Sequence, residues 1–550
     1  MIDEKVKRQV TDPPVFTSQP SHQVLRNKQL IPAQRWIQHG LLLQQQGAWQ
    51  EARECFIQAL QLQPLCFDAH FHLGNSWMNG GRFVEAYDCY RKALKIRRTS
   101  LEALANLGSA ALKLGRWPEA RDHFTHALRL APGEPLLRIN LGTVMHHLGH
   151  MDAALEIYQQ CVATTPEIPD AWLNLGHVLH ELDRFTEAES AYQEALKRKA
   201  DYPEALTGLG IVAHKRGEFA MALQWFAAAL KHNPQLAQAH YNKSLTLLVT
   251  GAYAEGWREY EWRWQTERFA PHSFTQAPWD GTAIHDKTIL LHTEQGFGDA
   301  IQMIRYVSMA RERMGKVVVF CPPDLERLFQ TIPQVDHVAS RTDLLPPCDC
   351  QAPLMSLPGL LGTTLDCIPN QVPYLFVRSD ALCATRLETL PGIKVGLVWR
   401  GNPQHANDHN RSIDAGIMAH LCRIEGVRFI NLQKDIRADE KMILTQKGNF
   451  YDFMEEVTDF ADTAALLNQL DQVIGVDTSV IHLAGALAKP GWVMLPENND
   501  WRWLRDREDS PWYPTLRLIR RRKGEEWSEV MARVGVILQE WVKKEHQDQT

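Results

Sequence analysis

Residues 173–210 read LNLGHVLHELDRFTEAESAYQEALKRKADYPEALTGLG. Gly176 and Gly210 stand 34 positions apart (210 − 176), and Ala188 and Tyr192 lie four residues apart, on one face of a helix. Outward from this stretch the same step recurs. Glycine falls at Gly40, Gly74, Gly108 and Gly142, and a small residue at Ala52, Ala86, Ala120, Ala154 and Ala222. An aromatic ring follows four places later, at Phe56, Tyr90, Phe124, Tyr158 and Phe226, and Pro64, Pro132, Pro166 and Pro234 close their units. A fixed 34-residue period carrying several residue classes in one register predicts a stack of two-helix units. Alanine marks where paired helices approach closely, and proline marks where a helix cannot continue.

Six clear units and one degenerate unit occupy residues 33–268. In the last, Ala237–Trp264, Ser244 stands at the glycine position while Gly251 and Tyr260 persist. Its rings, Trp257, Tyr260, Trp262 and Trp264, are expected to be buried packing that caps the array or docks it on the next domain. Residues 1–32 are polar with Pro13, Pro14 and Pro20, and are expected to form a flexible tail. The repeats resemble the tetratricopeptide family. That resemblance implies an α-solenoid whose concave face receives a protein or peptide partner.

Composition narrows the remainder. At 550 residues the chain exceeds one hydrophobic core. Hydrophobic residues at 45% and charged residues at 23% are globular values. A net charge of −6 argues against a general nucleic-acid binder, and the basic run Arg517–Lys523 reads as a solvated edge. No apolar run is long enough to span a bilayer, and the first residues lack a secretory h-region. The ten cysteines form no CxxC pair, and Cys321, Cys348, Cys350 and Cys367 are poorly spaced for zinc. A cytoplasmic protein with reduced thiols is expected.

From about Lys287 the pattern changes to α/β. Thr288–His292 reads as a strand, followed by the turn Thr293–Asp299, a helix over Ala300–Arg313 and a strand at Lys316–Cys321. A second series begins with the strand Lys394–Trp399 and a polar loop, Arg400–Ile413. It continues through Val427–Leu432 and a helix capped by Asp462 or Thr463. The strand Gln472–Val476 then leads through Asp477, Thr478 and Ser479 into a helix over Val480–Ala488, stopped by Pro490. Free N–H groups at that helix start form an anion site. His482 reads either as a substrate contact or as a polar residue at an interdomain edge.

The stretches EQGFGDAIQMIRY (294–306), GLVWRGNPQHANDHNRSI (396–413), DFADTAALL (459–467), GVDTSVIHLAGALAKP (475–490) and DWRWLRDREDSPWYP (500–514) resemble a bacterial family. Its members join tetratricopeptide repeats to a GT-B-type glycosyltransferase domain related to heptosyltransferases and, distantly, to protein O-linked sugar transferases. The resemblance implies an α/β domain of two Rossmann-like halves, 280–380 and 390–545, with a nucleotide sugar held mainly by the second. It implies that Asp299, at the end of a turn carrying Gly296 and Gly298, is the catalytic base. Asp477, Thr478, Ser479 and His482 would contact the donor, and Arg411, with Lys434 in reserve, would neutralise the diphosphate. It implies a metal-independent enzyme with no cofactor beyond its donor substrate. The acceptor would be a protein, or a surface glycan, recruited by the repeats.

Two other readings stand beside this one. Asp299 could simply cap its helix, and the α/β half could be a degenerate, non-catalytic module on a protein-binding scaffold. The chain could also be a heptosyltransferase-like enzyme of lipopolysaccharide assembly. Trp501 and Trp503 are expected to be buried packing more than a stacking platform for a base.

Overall fold

The computed structural model describes residues 32–272, 274–378, 387, 390–403, 407–446 and 448–548. The proline-bearing tail expected over 1–32 lies outside the described residues, apart from Pro32, which opens the first helix. The chain divides into two compact units, one ending at Val212 and the other beginning at Ala213.

The first unit is a run of antiparallel helix pairs, from Pro32–Gln45 and Trp49–Leu62 to Phe185–Arg198 and most of Pro203–Lys215. The repeated glycine and the ring sixteen residues later are two sides of one contact. A Cβ on Gly74 would lie 2.6 Å from the Tyr90 ring, and one on Gly176 would lie 2.5 Å from the Tyr192 ring. Phe56, Tyr90, Phe124, Tyr158 and Tyr192 are thereby buried against the first helix of their own repeats, and Ala52, Ala86, Ala120, Ala154 and Ala188 are fully buried beside them. A second series at the same period closes the turns. Gly47, Gly81, Gly115 and Gly149 have φ of 69–79°, the left-handed geometry that ends a helix, and Asp183 takes that place at 56°.

The second unit contains the helices Phe219–His232, Ala237–Val249 and Tyr253–Tyr260 together with the α/β region. Tyr241, Leu248, Tyr253, Trp257 and Tyr260 share one core with Ile289, Leu291, Met355, Trp501 and Trp512. The Trp257 and Trp501 rings meet edge to face at 5.1 Å, and the Trp512 indole N–H donates to the Tyr253 hydroxyl at 3.1 Å. Trp257 and Tyr260 are therefore buried packing. Trp262 and Trp264 are only half-buried, and Trp262 stacks on His240 at 3.9 Å. Arg263, wholly buried, reaches Glu294 at 2.9 Å and the Ser356 hydroxyl at 2.6 Å.

The α/β region is built on two parallel sheets. The first runs β1-β5-β2-β3-β4, with β1 (Ala277–Pro278), β2 (Ile284–His292), β3 (Met314–Phe320), β4 (His337–Ala339) and β5 (Cys350–Pro353). The second runs β11-β10-β9-β6-β7-β8, with β6 (Ile393–Val398), β7 (Val427–Asn431), β8 (Phe450–Tyr451), β9 (Gln472–Val476), β10 (Gly491–Leu495) and β11 (Leu516–Arg520). Numbered within its own half, the second sheet has the order 3-2-1-4-5-6 of doubly wound mononucleotide folds, and the first has a 3-2-1-4 core when β2 is counted as its first strand and the two-residue β1 is left aside. β9 and β10 are buried along their whole length and, apart from Gln472, consist of apolar residues and glycine.

Three local expectations change. Ala300–Arg313 is not one helix: a helix over Phe297–Met303 gives way to a 3₁₀ turn, Ile304–Tyr306, and a second helix, Val307–Arg311. At that turn the buried Arg305 guanidinium is anchored to the Trp512 carbonyl at 2.6 Å and to the Tyr374 hydroxyl at 2.9 Å. The helix Phe460–Asn468 is capped by Asp459, which accepts from the Ala461 and Asp462 N–H groups, so neither Asp462 nor Thr463 is the cap. The helix after β9 starts at Ser479 and ends at Ala486, with Ala488 in the left-handed region at φ 61°. Among the described residues no helix is long and apolar enough to cross a membrane.

Candidate functional site

In the second sheet the strand order reverses between β6 and β9, and the crevice at their carboxyl ends is where open α/β sheets bind ligands. Both chain segments leaving that point carry residues singled out from the sequence. β9 ends at Val476, Asp477 follows it, and Thr478, in extended geometry, is the N-cap of the Ser479–Ala486 helix. The Thr478 side chain makes no capping bond, and its Oγ1 is buried without a hydrogen-bond partner. The first N–H groups of a helix have no partner within it, so this end offers donors to an anion.

Arg411 arrives from the β6 side. Its Nη1 donates to the Asp477 carbonyl at 3.0 Å and its Nε to Asp408 Oδ1 at 3.2 Å. It folds over Gly401, where any Cβ would collide with the Arg411 guanidinium and the Asp408 carboxylate. His482, one helical turn into the Ser479–Ala486 helix, places Nε2 3.4 Å from Asp477 Oδ1, while its Nδ1 meets the Tyr513 hydroxyl at 2.9 Å. The ring lies nearly parallel to Trp503, with centroids 5.4 Å apart. Burial alone would raise the Asp477 carboxyl. The His482 hydrogen bond, with the charges of His482 and Arg411, outweighs it and holds Asp477 at about 2.

Gly296, Gly298 and Asp299 come from the first half, after β2. A Cβ on Gly298 would sit 2.9 Å from the His482 ring and 3.6 Å from Ser479 Cα, so bare backbone faces the Ser479–Ala486 helix here. Asp299 occupies the third position of the helix capped by Gly296. Its Oδ2 accepts the Gly296 N–H at 3.0 Å, and its Oδ1 pairs with Arg502. Both oxygens are engaged. Lys434 is not drawn in with the others: it is 64% exposed and pairs loosely with Asp324 at 3.9 Å.

Arg502 was not singled out from the sequence. Its side chain is 4% exposed, and it gathers Asp299 and Gln302 from the first half and Asp500, at 2.6 Å, from its own. The only local signal is a charged residue set between Trp501 and Trp503, a flanking expected of a buried position. A small cleft of about 40 Å³ opens beside this network, lined by Leu245, Asn407, Asn498, Asn499, Asp500 and Trp501. His214 and Lys215 complete its wall. Burial pushes the Asp500 carboxyl up to about 6. On the other flank, burial takes Glu294 up to about 7 against the pull of Arg263.

The second half of the chain is thus an α/β region of parallel sheets behind a helical array, and the array defines the class. Tetratricopeptide repeat family models match residues 99–167 and, in overlapping pieces, 37–102, 147–203, 173–237 and 207–261. Residues 37–261 are tetratricopeptide repeats. Among curated proteins, Protein FlbA of Caulobacter vibrioides is 27% identical over 341 residues, covering 56% of each chain, so this chain spans little more than half the length of that relative. Solved structures with similarity include a tetratricopeptide repeat protein from Parabacteroides merdae (16% identity, 42% of this chain and 91% of that one, TM-score 0.39). A second is the thermophilic TPR protein TTC0263 of Thermus thermophilus (23% identity, 33% and 100%, TM-score 0.30). A third is YrrB, described as a TPR protein with an unusual peptide-binding site (22% identity, 35% and 100%, TM-score 0.29).

Proposed function

We propose that this chain is a glycosyltransferase of the GT-B type, moving a sugar from a nucleoside-diphosphate donor to a protein brought in by its tetratricopeptide repeats. The observation that carries the reading is the convergence of Arg411, Asp477, Thr478 and His482 on the crevice between β6 and β9. In such a reaction the bond between the sugar and the diphosphate breaks, and negative charge grows on the leaving oxygens. A helix N-terminus and a fixed guanidinium stabilise that charge without reorganising. Asp477 serves by holding Arg411 through its carbonyl and His482 through its carboxylate, so both stay in place while the donor is empty or filled. The Thr478 hydroxyl, buried and unpartnered, has its hydrogen-bonding capacity left for the donor.

Calorimetry with UDP, GDP, ADP, CDP and dTDP tests this reading. One of them should bind, and Arg411→Ala should weaken that binding by about 1.5–3 kcal/mol, the range for a charge-assisted hydrogen bond. Absence of binding by all five would overturn the donor site.

One observation favours a second reading, a protein-binding scaffold with a non-catalytic α/β module. Asp299, the base implied by the family resemblance, has both oxygens taken up by its own cap and by Arg502. Nucleotide binding without any turnover of sugar nucleotides would decide for the scaffold.

A further inference from the structure

We propose that Tyr513 is a positioning residue for the donor crevice: it keeps a hydrogen on His482 Nδ1, so that the proton the ring gains and loses sits on Nε2, beside Asp477. This rests on the transferase reading above and adds to that site a residue from the loop before β11.

Tyr513 is fully buried, and its hydroxyl meets His482 Nδ1 at 2.9 Å. Its ring lies over Gly485, one turn beyond His482 on the same helix, where any Cβ would strike it. The Ser510 hydroxyl oxygen accepts the Tyr513 backbone N–H at 3.3 Å. The imidazole is thus bounded by Tyr513 at Nδ1 and by Trp503 along its face. At its other edge a Cβ on Gly298 would come 3.5 Å from Nε2, so that atom lies against the turn entering from the first half.

The direction of the Tyr513 bond follows from its neighbours. Tyr374 donates its one hydroxyl hydrogen to the Ile301 carbonyl at 2.9 Å and accepts from Arg305 Nη2 at 2.9 Å. The Arg305 guanidinium lies over the Tyr374 and Tyr513 rings, 4.6 Å from each centroid, and the two hydroxyls are bonded. A carbonyl cannot donate, so Tyr374 has only a lone pair to offer Tyr513. Tyr513 therefore gives its hydrogen to Tyr374 and accepts one from His482 Nδ1. Burial holds the phenol well above the usual tyrosine range, which keeps that hydrogen in place. Nδ1 is fixed as a donor, and Nε2 alone is left to exchange a proton.

Nε2 stands 3.4 Å from Asp477 Oδ1, an oxygen that can only accept while the carboxyl is ionised. With a hydrogen on both nitrogens the ring is a cation beside Arg411 and the start of the Ser479–Ala486 helix. Its Nε2–H is then a donor for the charge that grows on a leaving diphosphate. Without the Tyr513 hydroxyl, Asp477 would draw the single hydrogen of a neutral ring to Nε2, and Nδ1 would be left a buried acceptor with no donor.

The test uses the full chain with isotope-labelled histidine, read by NMR, the His482 signals being those that His482→Gln removes. At a pH where the ring is neutral, the parent should carry its hydrogen on Nδ1 and Tyr513→Phe should carry it on Nε2. Tyr374→Phe should make the same switch with Tyr513 intact, because the Tyr513 hydrogen is then free for Nδ1. A role for Tyr513 in packing alone would move the hydrogen in neither variant. A parent ring with its hydrogen on Nε2 overturns the assignment, as does a Y513F ring unchanged from the parent. Should Y513F melt early, the parent and Y374F still decide it. Calorimetry with UDP, GDP, ADP, CDP and dTDP then reads the donor role. Y513F should bind about 2–10-fold more weakly, the loss expected of one intramolecular hydrogen bond. Equal affinity overturns Tyr513 as a positioning residue of the donor site. A parent with hydrogen on Nδ1 that binds none of the five overturns the donor-site reading, while the hydrogen assignment stands.

Discussion

One guanidinium, that of Arg502, receives Asp299 from 203 positions away and Asp500 from two positions away, in a setting almost closed to solvent. A cap alone would make Asp299→Asn nearly neutral, since asparagine caps as well as aspartate. The ion pair changes that expectation. Removing one partner of a buried pair costs about 3–5 kcal/mol, and with Asp500 still in place the loss should fall at the lower end. Thermal melting of the variant against the parent measures it, and an unchanged midpoint would show that Arg502 does not depend on Asp299. Asp477 supplies a pH dependence. Its pKa is depressed from 3.8 to about 2 in the fold, so its contribution is whole above pH 3.8 and lost as the pH falls through 2. His482→Gln should flatten that part of an acid-unfolding curve. The sequence motifs brought Asp477, Thr478, Ser479, His482 and Arg411 to one crevice because strand ends and helix starts leave local marks. Arg502 escaped because its role comes from pairing with Asp299 and Gln302 across the fold, which no spacing reveals. Lys434 escaped in the opposite sense, since its position after β7 says nothing of where a long flexible side chain will turn.

Within the helical repeats the decisive contact is a glycine under a ring. Gly176→Ala would push a methyl group into Tyr192 at 2.5 Å, and such overpacking costs about 1–3 kcal/mol. Gly47→Ala meets nothing within 4 Å, yet its φ of 78° imposes about 1–2 kcal/mol of backbone strain. Urea melts of the two variants should both show early unfolding. A G176A protein as stable as its parent would mean the ring can move aside. The repeats were legible at this level because each unit's contacts are local and recur 34 residues on. The series through Gly47, Gly81, Gly115, Gly149, Gly217 and Gly251 was equally visible in the sequence, and it marks the turns directly. In the α/β region the strands were legible as apolar runs. The break at Ile304–Tyr306 was not, because it accompanies the distant anchorage of Arg305.

At the scale of the molecule, the compact division at Val212 cuts within the run of repeats, and the last helices belong to the core of the α/β unit. A chain of residues 200–550 keeps Tyr241, Tyr253, Trp257 and Tyr260 against Trp501 and Trp512, and should remain soluble and bind nucleoside diphosphate. A chain of residues 266–550 strips those rings from the core and should precipitate. Equal solubility of the two, measured by sedimentation, would show that the last repeat is dispensable to the fold. Partner capture should be lost from 200–550 if the earlier repeats supply the groove. The uniform 34-residue step has an evolutionary consequence. Unequal recombination that adds or deletes one whole unit between Gly40 and Gly176 reproduces every glycine, alanine and ring in register. The reach of the array is thus open to rapid drift among related genes, while the unit bearing Tyr253 and Trp257 is held fixed by the sheet it helps to bury.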